Sequence, residues 1–154
     1  MSSKSKFRFR SFIKRSADEA FAWHLRPRMM ERSTPPWEDV KMIQTDARPN
    51  IPGSKFVINA RVFALYRQKF VLEYANYVPN ESFNVIQKEG FCSDCEYTTS
   101  ITPQSEHSCE VIDQFEFTHK LPKVLSLFMN GFIKKRLARL LQYKHEMIYN
   151  DLGL

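Results

Sequence analysis

Two places in this sequence set residue types that could do chemistry at close spacing. The first is FAWHLRPRMMERSTPPWE, Phe21 to Glu38, where His24 stands among aromatics, two arginines around Pro27, a methionine pair and a rigid Pro35-Pro36-Trp37. A histidine can act as a general base when an orienting partner and a substrate group lie within hydrogen-bond reach. The sequence carries no Gly-x-Ser-x-Gly elbow and no Ser-His-Asp arrangement. A histidine that closes a short helix beside a proline more commonly donates to a backbone carbonyl, so a structural role is favoured for His24. No residue is assigned to catalysis.

The second place is Cys92-x-x-Cys95, followed by His107 and Cys109. These are zinc-ligand types. If Pro103–Glu106 is a turn between two strands, residue 109 pairs near 101 and residue 95 near 115. At ~3.3 Å per residue that separates Cys109 from Cys95 by about 20 Å, too far for one ion. A redox Cys-x-x-Cys opens a helix after a strand, which this one does not. The expectation is three reduced thiols, no metal and no cofactor.

Asp113 is the third candidate. It alternates with Val111, Phe115 and Phe117 on one strand face, which should turn it inward. A buried carboxylate is costly unless paired or hydrogen-bonded. Tyr74, Asn76 and Gln87 are placed around the same space. A few polar groups in an aromatic wall mark a ligand pocket. Equally, Asp113 could pair with a buried arginine and simply fix the sheet.

The elements that must position these residues follow from pattern. A strand is expected over residues 7–14, where Phe7, Phe9, Ser11 and Ile13 alternate with polar neighbours. Ser16, with Glu19 three residues on, caps a helix carrying Ala20, Phe21 and Trp23 that should stop before Pro27. A second short helix runs through Met29, Met30 and Glu31, and Pro35-Pro36 forces an extended exit. Strands are then predicted at Trp37–Thr45, Lys55–Tyr66, Gln68–Val78, Ser82–Glu89, Glu96–Thr102 and His107–Thr118. From about Pro122 to Asp151, apolar residues at Leu121, Leu125, Phe128, Met129, Phe132, Leu137, Leu140, Leu141 and Ile148 have helical spacing. The charged residues Lys134, Lys135, Arg136, Arg139 and Lys144 are read as its solvated face.

This order predicts an α+β fold: a curved antiparallel sheet of about six to seven strands around one long C-terminal helix, with two short helices after the first strand. Bulk composition agrees with one domain spanning residues 1–154. Aromatics are plentiful, including 13 Phe, and suit either a core or the wall of an apolar cavity. The net charge of +6 is compatible with an anionic surface without specifying one. No secretory h-region and no bilayer-length apolar run is seen, so a cytoplasmic protein is expected. Nucleic acid is disfavoured as a partner, since no RNP, zinc-finger or helix-turn-helix signature occurs. Peripheral contact with an anionic membrane would suit the basic helix.

The run SADEAFAWHLRPRMMERSTPPWEDVKMI resembles the opening of cyclase/dehydrase-type and coenzyme Q-binding-type members of the START-like, or SRPBCC, superfamily. There a short helix with Phe-x-Trp-His precedes an Arg-Leu-Thr-Pro-Pro-Trp-like run. The ending FIKKRLARLLQYKHEMIYNDL is similar to the terminal helix of that group, and Val111 to Phe117 to its last strand. The chain departs from the pattern after Gly90-Phe91, where Cys92-Ser93-Asp94-Cys95-Glu96 replaces a Trp and paired histidines. Asn84 stands where an acidic residue is usual.

The resemblance implies a helix-grip fold and a cavity between sheet and C-terminal helix. The expected function is non-enzymatic binding or carriage of a hydrophobic small molecule, such as an isoprenoid quinone, a lipid or a polyketide-like aromatic. The expected lining is Phe9, Trp23, Trp37, Tyr74, Asn76, Gln87, Asp113, Phe115, Phe117, Leu125, Phe128, Met129 and Phe132. Phe21 to Glu38 becomes a lid, with Trp23 and Trp37 at the cavity mouth. Two alternatives remain: a cyclase or dehydratase working in the same cavity, and a basic protein-interaction module with a filled core. Oligomeric state is open.

Overall fold

The computed structural model describes residues 3–43, 47–63, 66–90, 94–119 and 123–152. In chain order they form β1 (Ser3–Ile13), α1 (Ala17–His24), α2 (Met29–Arg32), a 3-10 turn at Pro36–Glu38, and β2 (Lys41–Met42). There follow β3 (Lys55–Phe63), β4 (Tyr66–Val78), β5 (Ser82–Glu89), β6 (Asp94–Ser105), β7 (Ser108–His119) and α3 (Lys123–Leu152). The strands make one seven-stranded antiparallel sheet in the order β1-β7-β6-β5-β4-β3-β2. Each strand from β2 to β7 pairs with its chain neighbour, and β1 comes back to close against β7. This is the helix-grip arrangement.

The N-cap half of the expected capping box forms: the Glu19 backbone N–H donates to Ser16 Oγ at 3.2 Å, while the Glu19 carboxylate accepts from that hydroxyl at 3.3 Å instead of from the Ser16 backbone N–H. α2 begins after Arg28, a non-glycine residue at φ 58°. Its guanidinium offsets that backbone by donating to Glu31 Oε2 at 3.0 and 2.7 Å.

Several expected boundaries move. β1 starts at Ser3 rather than Phe7 because the ladder with β7 runs from Ser3↔His119 to Ile13↔Cys109. The strand expected over Trp37–Thr45 shrinks to Lys41–Met42, since Pro36 opens a 3-10 turn and Asp39 sits at φ 52°. Residues 44–46 lie outside those described. β6 continues past the expected turn to Ser105. Pro103 lies beyond Ser100, the last β6 residue paired with β5, where one side of the strand has no neighbour and a missing N–H is tolerated. The expected Pro122 start of α3 is outside the described residues.

The core gathers at one end of the sheet. Ile13, Phe21, Trp23, Phe56, Tyr74, Phe83, Ile101, Val111 and Ile148 pack there beneath α1. Among the described side chains, α3 serves it with its C-terminal half, where Leu141, Lys144, His145 and Ile148 are buried. Phe128 and Phe132, expected to face the sheet, point to solvent instead. A straight helix of 30 residues is about 45 Å long and follows a curled sheet over only part of that length.

Candidate functional site

Asp113 is the centre of the interior. It lies on β7 between Phe9 of β1 and Thr99 of β6, its register partners on either side. Directly opposed strand residues have Cβ atoms about 5 Å apart, which lets the Thr99 hydroxyl donate to Asp113 Oδ1 at 2.7 Å. Tyr97, two positions before Thr99 on the same face, donates to the same oxygen at 2.5 Å while its ring stacks on Phe115 at 4.4 Å.

From above, α3 presents two successive residues. Lys144 Nζ donates to Asp113 Oδ1 at 2.7 Å and to the Tyr97 hydroxyl at 2.7 Å. His145 Nε2 donates to Asp113 Oδ2 at 2.5 Å, and the ring meets Phe9 edge-on. The tautomer follows from the partner, since an ionised carboxylate only accepts.

The charges are mutually dependent. Burial disfavours an ionised Asp113, but Lys144 and the hydrogen bond from His145 overcome it and hold the carboxyl far below the usual carboxylate range. Burial also lowers the Lys144 ammonium, against the pull of Asp113. Tyr97 is raised by burial and then by the adjacent carboxylate, so it stays a neutral donor.

His24 closes α1, and its Nδ1 donates to Ala20 O at 2.8 Å. Burial, reinforced by the nearby Lys144 charge, pushes it down to about 3. It is therefore a neutral ring whose Nε2 lone pair is buried without a partner among the described residues. His24 lines a niche of about 30 Å³ together with Tyr74, Ser33, Tyr97 and Lys144. Such a volume holds roughly one water or one ligand hydroxyl.

Beyond Tyr97 and Lys144 lies a mostly apolar cavity of about 190 Å³. Ile58, Leu72, Val85 and Phe115 of the sheet face Leu140 of α3, and Met30, Ser33 and Thr34 of the Phe21–Glu38 segment, with Val40 just after it, close it. Gln87 and Cys95 also reach it. An open groove of about 520 Å³ runs along the outer side of the lid past Arg28, Arg32 and Tyr143, and it has no buried polar group on its walls.

The thirteen expected lining residues scatter. Gln87 and Phe115 line the cavity, while Trp23 and Tyr74 line the His24 niche. Phe9 and Asp113 lie behind Tyr97 and Lys144, and Phe117 is buried elsewhere on β7. Trp37 is not at the mouth; it is more than half exposed, edge-on to Tyr143. Asn76 faces outward because a bulge between Tyr74 and Tyr77 switches the face of β4. Its backbone N–H donates to Asn84 Oδ1 at 2.7 Å, which satisfies the bulge. The side chains of Leu125 and Met129 are outside the described residues.

Lys144 was assigned to the solvated face and is instead the buried partner of Asp113. The buried arginine considered for that role is replaced by Lys144 with His145. Arg136 also leaves the solvated set: it donates to Glu38 Oε2 at 2.9 and 2.5 Å and to Arg61 O, tying α3 to the lid and to β3. A signal for Lys144 existed. Leu141, Lys144 and Ile148 fall at i, i+3 and i+7, so the lysine stands in the buried stripe.

The cysteines are apart. Cys95 pairs with Phe117 and Cys109 with Pro103, a register shifted from the expected 115 and 101 that sets the two thiols eight residues apart along the sheet rather than six, about 26 Å at ~3.3 Å per residue. Burial pushes the Cys109 thiol up to about 11, which makes it unreactive. His107 is exposed in the β6–β7 turn, and Cys92 lies outside the described residues.

No family model and no curated protein matches the sequence. Solved structures do match in shape. A norcoclaurine synthase point mutant from Thalictrum flavum, in complex with a transition-state analogue, superposes with TM-score 0.71 at 13% identity over 99% of both chains. Another structure of that enzyme holds dopamine and hydroxybenzaldehyde, with TM-score 0.68 at 13% identity over 97% of this chain and 88% of that one. Protein CV1439 from Chromobacterium violaceum gives 0.64 at 17% identity over 92% of each chain. Ara h 8.0201 gives 0.61 at 9% over 96% of this chain and 99% of that one. The chain has the START-like, Bet v 1-like helix-grip fold; at these identities the likeness is one of fold.

Proposed function

We propose that this protein binds a hydrophobic small molecule between its sheet, its lid and α3. The candidates are an isoprenoid quinone, a lipid or a polyketide-like aromatic. The observation that carries this reading is the cavity itself. An apolar chamber of about 190 Å³ ends at the buried Lys144 and the partly buried Tyr97, which also line the niche beside His24, whose Nε2 has no partner among the described residues. A dry cavity of about 150 Å³ takes one benzene, so this space accepts a substituted ring or the end of a chain. Apolar walls supply affinity at about 25 cal/mol per Å². A ligand hydroxyl reaching the niche would donate to His24 and fix orientation. The norcoclaurine synthase complex with dopamine and hydroxybenzaldehyde supports an aromatic ligand in a fold of this kind.

A second reading is a cyclase- or dehydratase-type enzyme in the same cavity. It is favoured by one observation: His24, whose Nε2 has no partner among the described residues, and Lys144 line a single niche, as an acid–base pair would.

The test is native mass spectrometry of the protein purified from its own host, with organic extraction of bound material, repeated on Leu140→Trp. The expected result is a stoichiometric lipophilic molecule that the tryptophan displaces. A clean apo mass, unchanged after incubation with quinones, lipids and aromatics, overturns binding. Chemical conversion of the bound compound selects the enzyme reading.

A further inference from the structure

The N-terminal half of α3 carries an apolar face that nothing among the described residues covers. Val124, Leu127, Phe128 and Phe132 are 81%, 75%, 73% and 46% exposed. They recur at i, i+3, i+4 and i+8, so they form one continuous stripe on one side of the helix. Isolated exposed hydrophobes are ordinary, but a contiguous stripe with two phenylalanines marks an interaction surface.

Its surroundings indicate what covers it. Residues 123–145 contain six Lys or Arg and no Asp or Glu. Of the basic residues, Arg136 is engaged by Glu38 and Lys144 by Asp113. Lys134, Lys135 and Arg139 make no ion pair among the described residues and, at a helical period, follow the stripe on the same outward side. Lys135 stands seven residues beyond Phe128, about 10 Å along the axis. An apolar tip backed by a basic collar at that distance matches a bilayer interface. There, side chains enter about 5–10 Å and cations meet lipid phosphates.

We propose that this end of α3 docks on an anionic membrane surface, with Leu127, Phe128 and Phe132 in the acyl boundary and Lys134, Lys135 and Arg139 at the headgroups. A second copy of the chain is a poorer occupant. Four side chains fall short of the ~800 Å² per partner that a stable dimer buries, and a two-fold contact would bring two sets of unneutralised cations onto one interface. The attachment is peripheral: no described helix is long and apolar enough to cross a bilayer. The proposal stands on the outer face of α3 and is independent of what the cavity holds.

Vesicle co-sedimentation tests it, comparing pure phosphatidylcholine with phosphatidylcholine containing about one-third phosphatidylserine. Wild type is expected to sediment with the anionic vesicles, weakly with the neutral ones, and to be released by high salt. Each surface lysine contributes about fivefold to partitioning, so Lys134→Glu/Lys135→Glu should lower it at least about twentyfold. Leu127→Ser/Phe128→Ser should lower it by a similar factor with the same melting temperature, since both side chains are already solvated. Equal binding to neutral vesicles, no binding to either, or unchanged binding by both double variants overturns the proposal. So does a stable dimer in light scattering that Leu127→Ser/Phe128→Ser dissolves.

Discussion

Lys144 on α3 and Asp113 on β7 meet at 2.7 Å, 31 residues apart in the chain and with both side chains almost wholly removed from water. This contact fixes how the helix lies on the sheet. Tyr97 and Thr99 hold the carboxylate from β6, and His145 takes its other oxygen. The helix therefore has one axial and rotational setting that joins five polar groups in one hydrogen-bonded cluster, although His145 Nδ1 is buried with no partner among the described residues. A buried ion pair is a poor source of net stability but a strong selector of register. Here it sets the position of Leu140 and so one wall of the cavity.

Breaking the pair from one side should be costly. Asp113→Asn leaves an ammonium buried without its counter-charge, a loss of about 3–5 kcal/mol. For a chain of this size that is a fall of about 6–20 °C in Tm. Replacing both partners, Asp113→Leu with Lys144→Met, should recover much of the loss because both charges leave together. Thermal denaturation of the single and double variants decides; a double variant no better than the single one would mean that charge is not the reason.

Acid stability should report His24. Its folded value of about 3 lies below the ordinary value of about 6.5 in the unfolded chain. Between those values the unfolded state binds the extra proton, so stability falls as pH drops through that window, by at most about 1.4 kcal/mol per pH unit. Asp113 adds to this only below about pH 4, since its contribution is present above the unfolded carboxylate value and is lost as pH falls further. Urea midpoints measured from pH 7 to 3 should show the slope, and His24→Phe should flatten its upper part while leaving the lower. A parallel profile for the variant would assign the acid sensitivity elsewhere.

The fold was legible because its signals are periodic and local. The Ser16–Glu19 box, the proline that stops α1, the alternation of β7 and the long proline-free helix each follow from short-range rules. Asp113 was legible as an inward carboxylate for the same reason. Its partners were not, because Lys144 and His145 approach from an element whose rotation about its own axis is set by tertiary packing. Weighing charge first put Lys144 in solvent; weighing its place in the Leu141–Ile148 stripe would have put it inside. Asn76 failed for a different cause. A single inserted residue reverses every side chain after it, and nothing in Tyr74–Tyr77 announces the bulge. Phe128 and Phe132 have core spacing but lie beyond the reach of the curled sheet, which no window of sequence encodes.

Tyr97 offers a finer test of the cluster. Its hydroxyl donates to Asp113 and accepts from Lys144, so Tyr97→Phe removes two bonds while keeping the stack on Phe115. The expected loss is about 1–3 kcal/mol. Thr99→Val removes one good bond to Asp113 and a long one, 3.4 Å, from Lys144, and should cost less. Denaturant titration of both variants gives the order, and the reverse order would place the main support of the carboxylate on Thr99.

Arg136 should govern how the lid opens. It reaches Glu38 in the 3-10 turn and Arg61 O on β3, so one guanidinium joins helix, lid and sheet edge. Glu38 is almost buried, and losing the charged bonds from Arg136 should cost about 1.5–3 kcal/mol. That cost is local, because α1 and the core around Trp23 are anchored separately through the Trp23 Nε1 bond to Asp151. Arg136→Ala should therefore lower Tm by a few degrees, yet speed amide exchange sharply over residues 33–42 while leaving α1 protected. Met30, Ser33 and Thr34 of the lid and Val40 just after it wall the cavity, so under the proposed binding function the same variant should exchange a bound aromatic faster than wild type without a matching loss of equilibrium affinity. Uniform acceleration of exchange across the whole chain would show instead that Arg136 supports global stability and holds no gate.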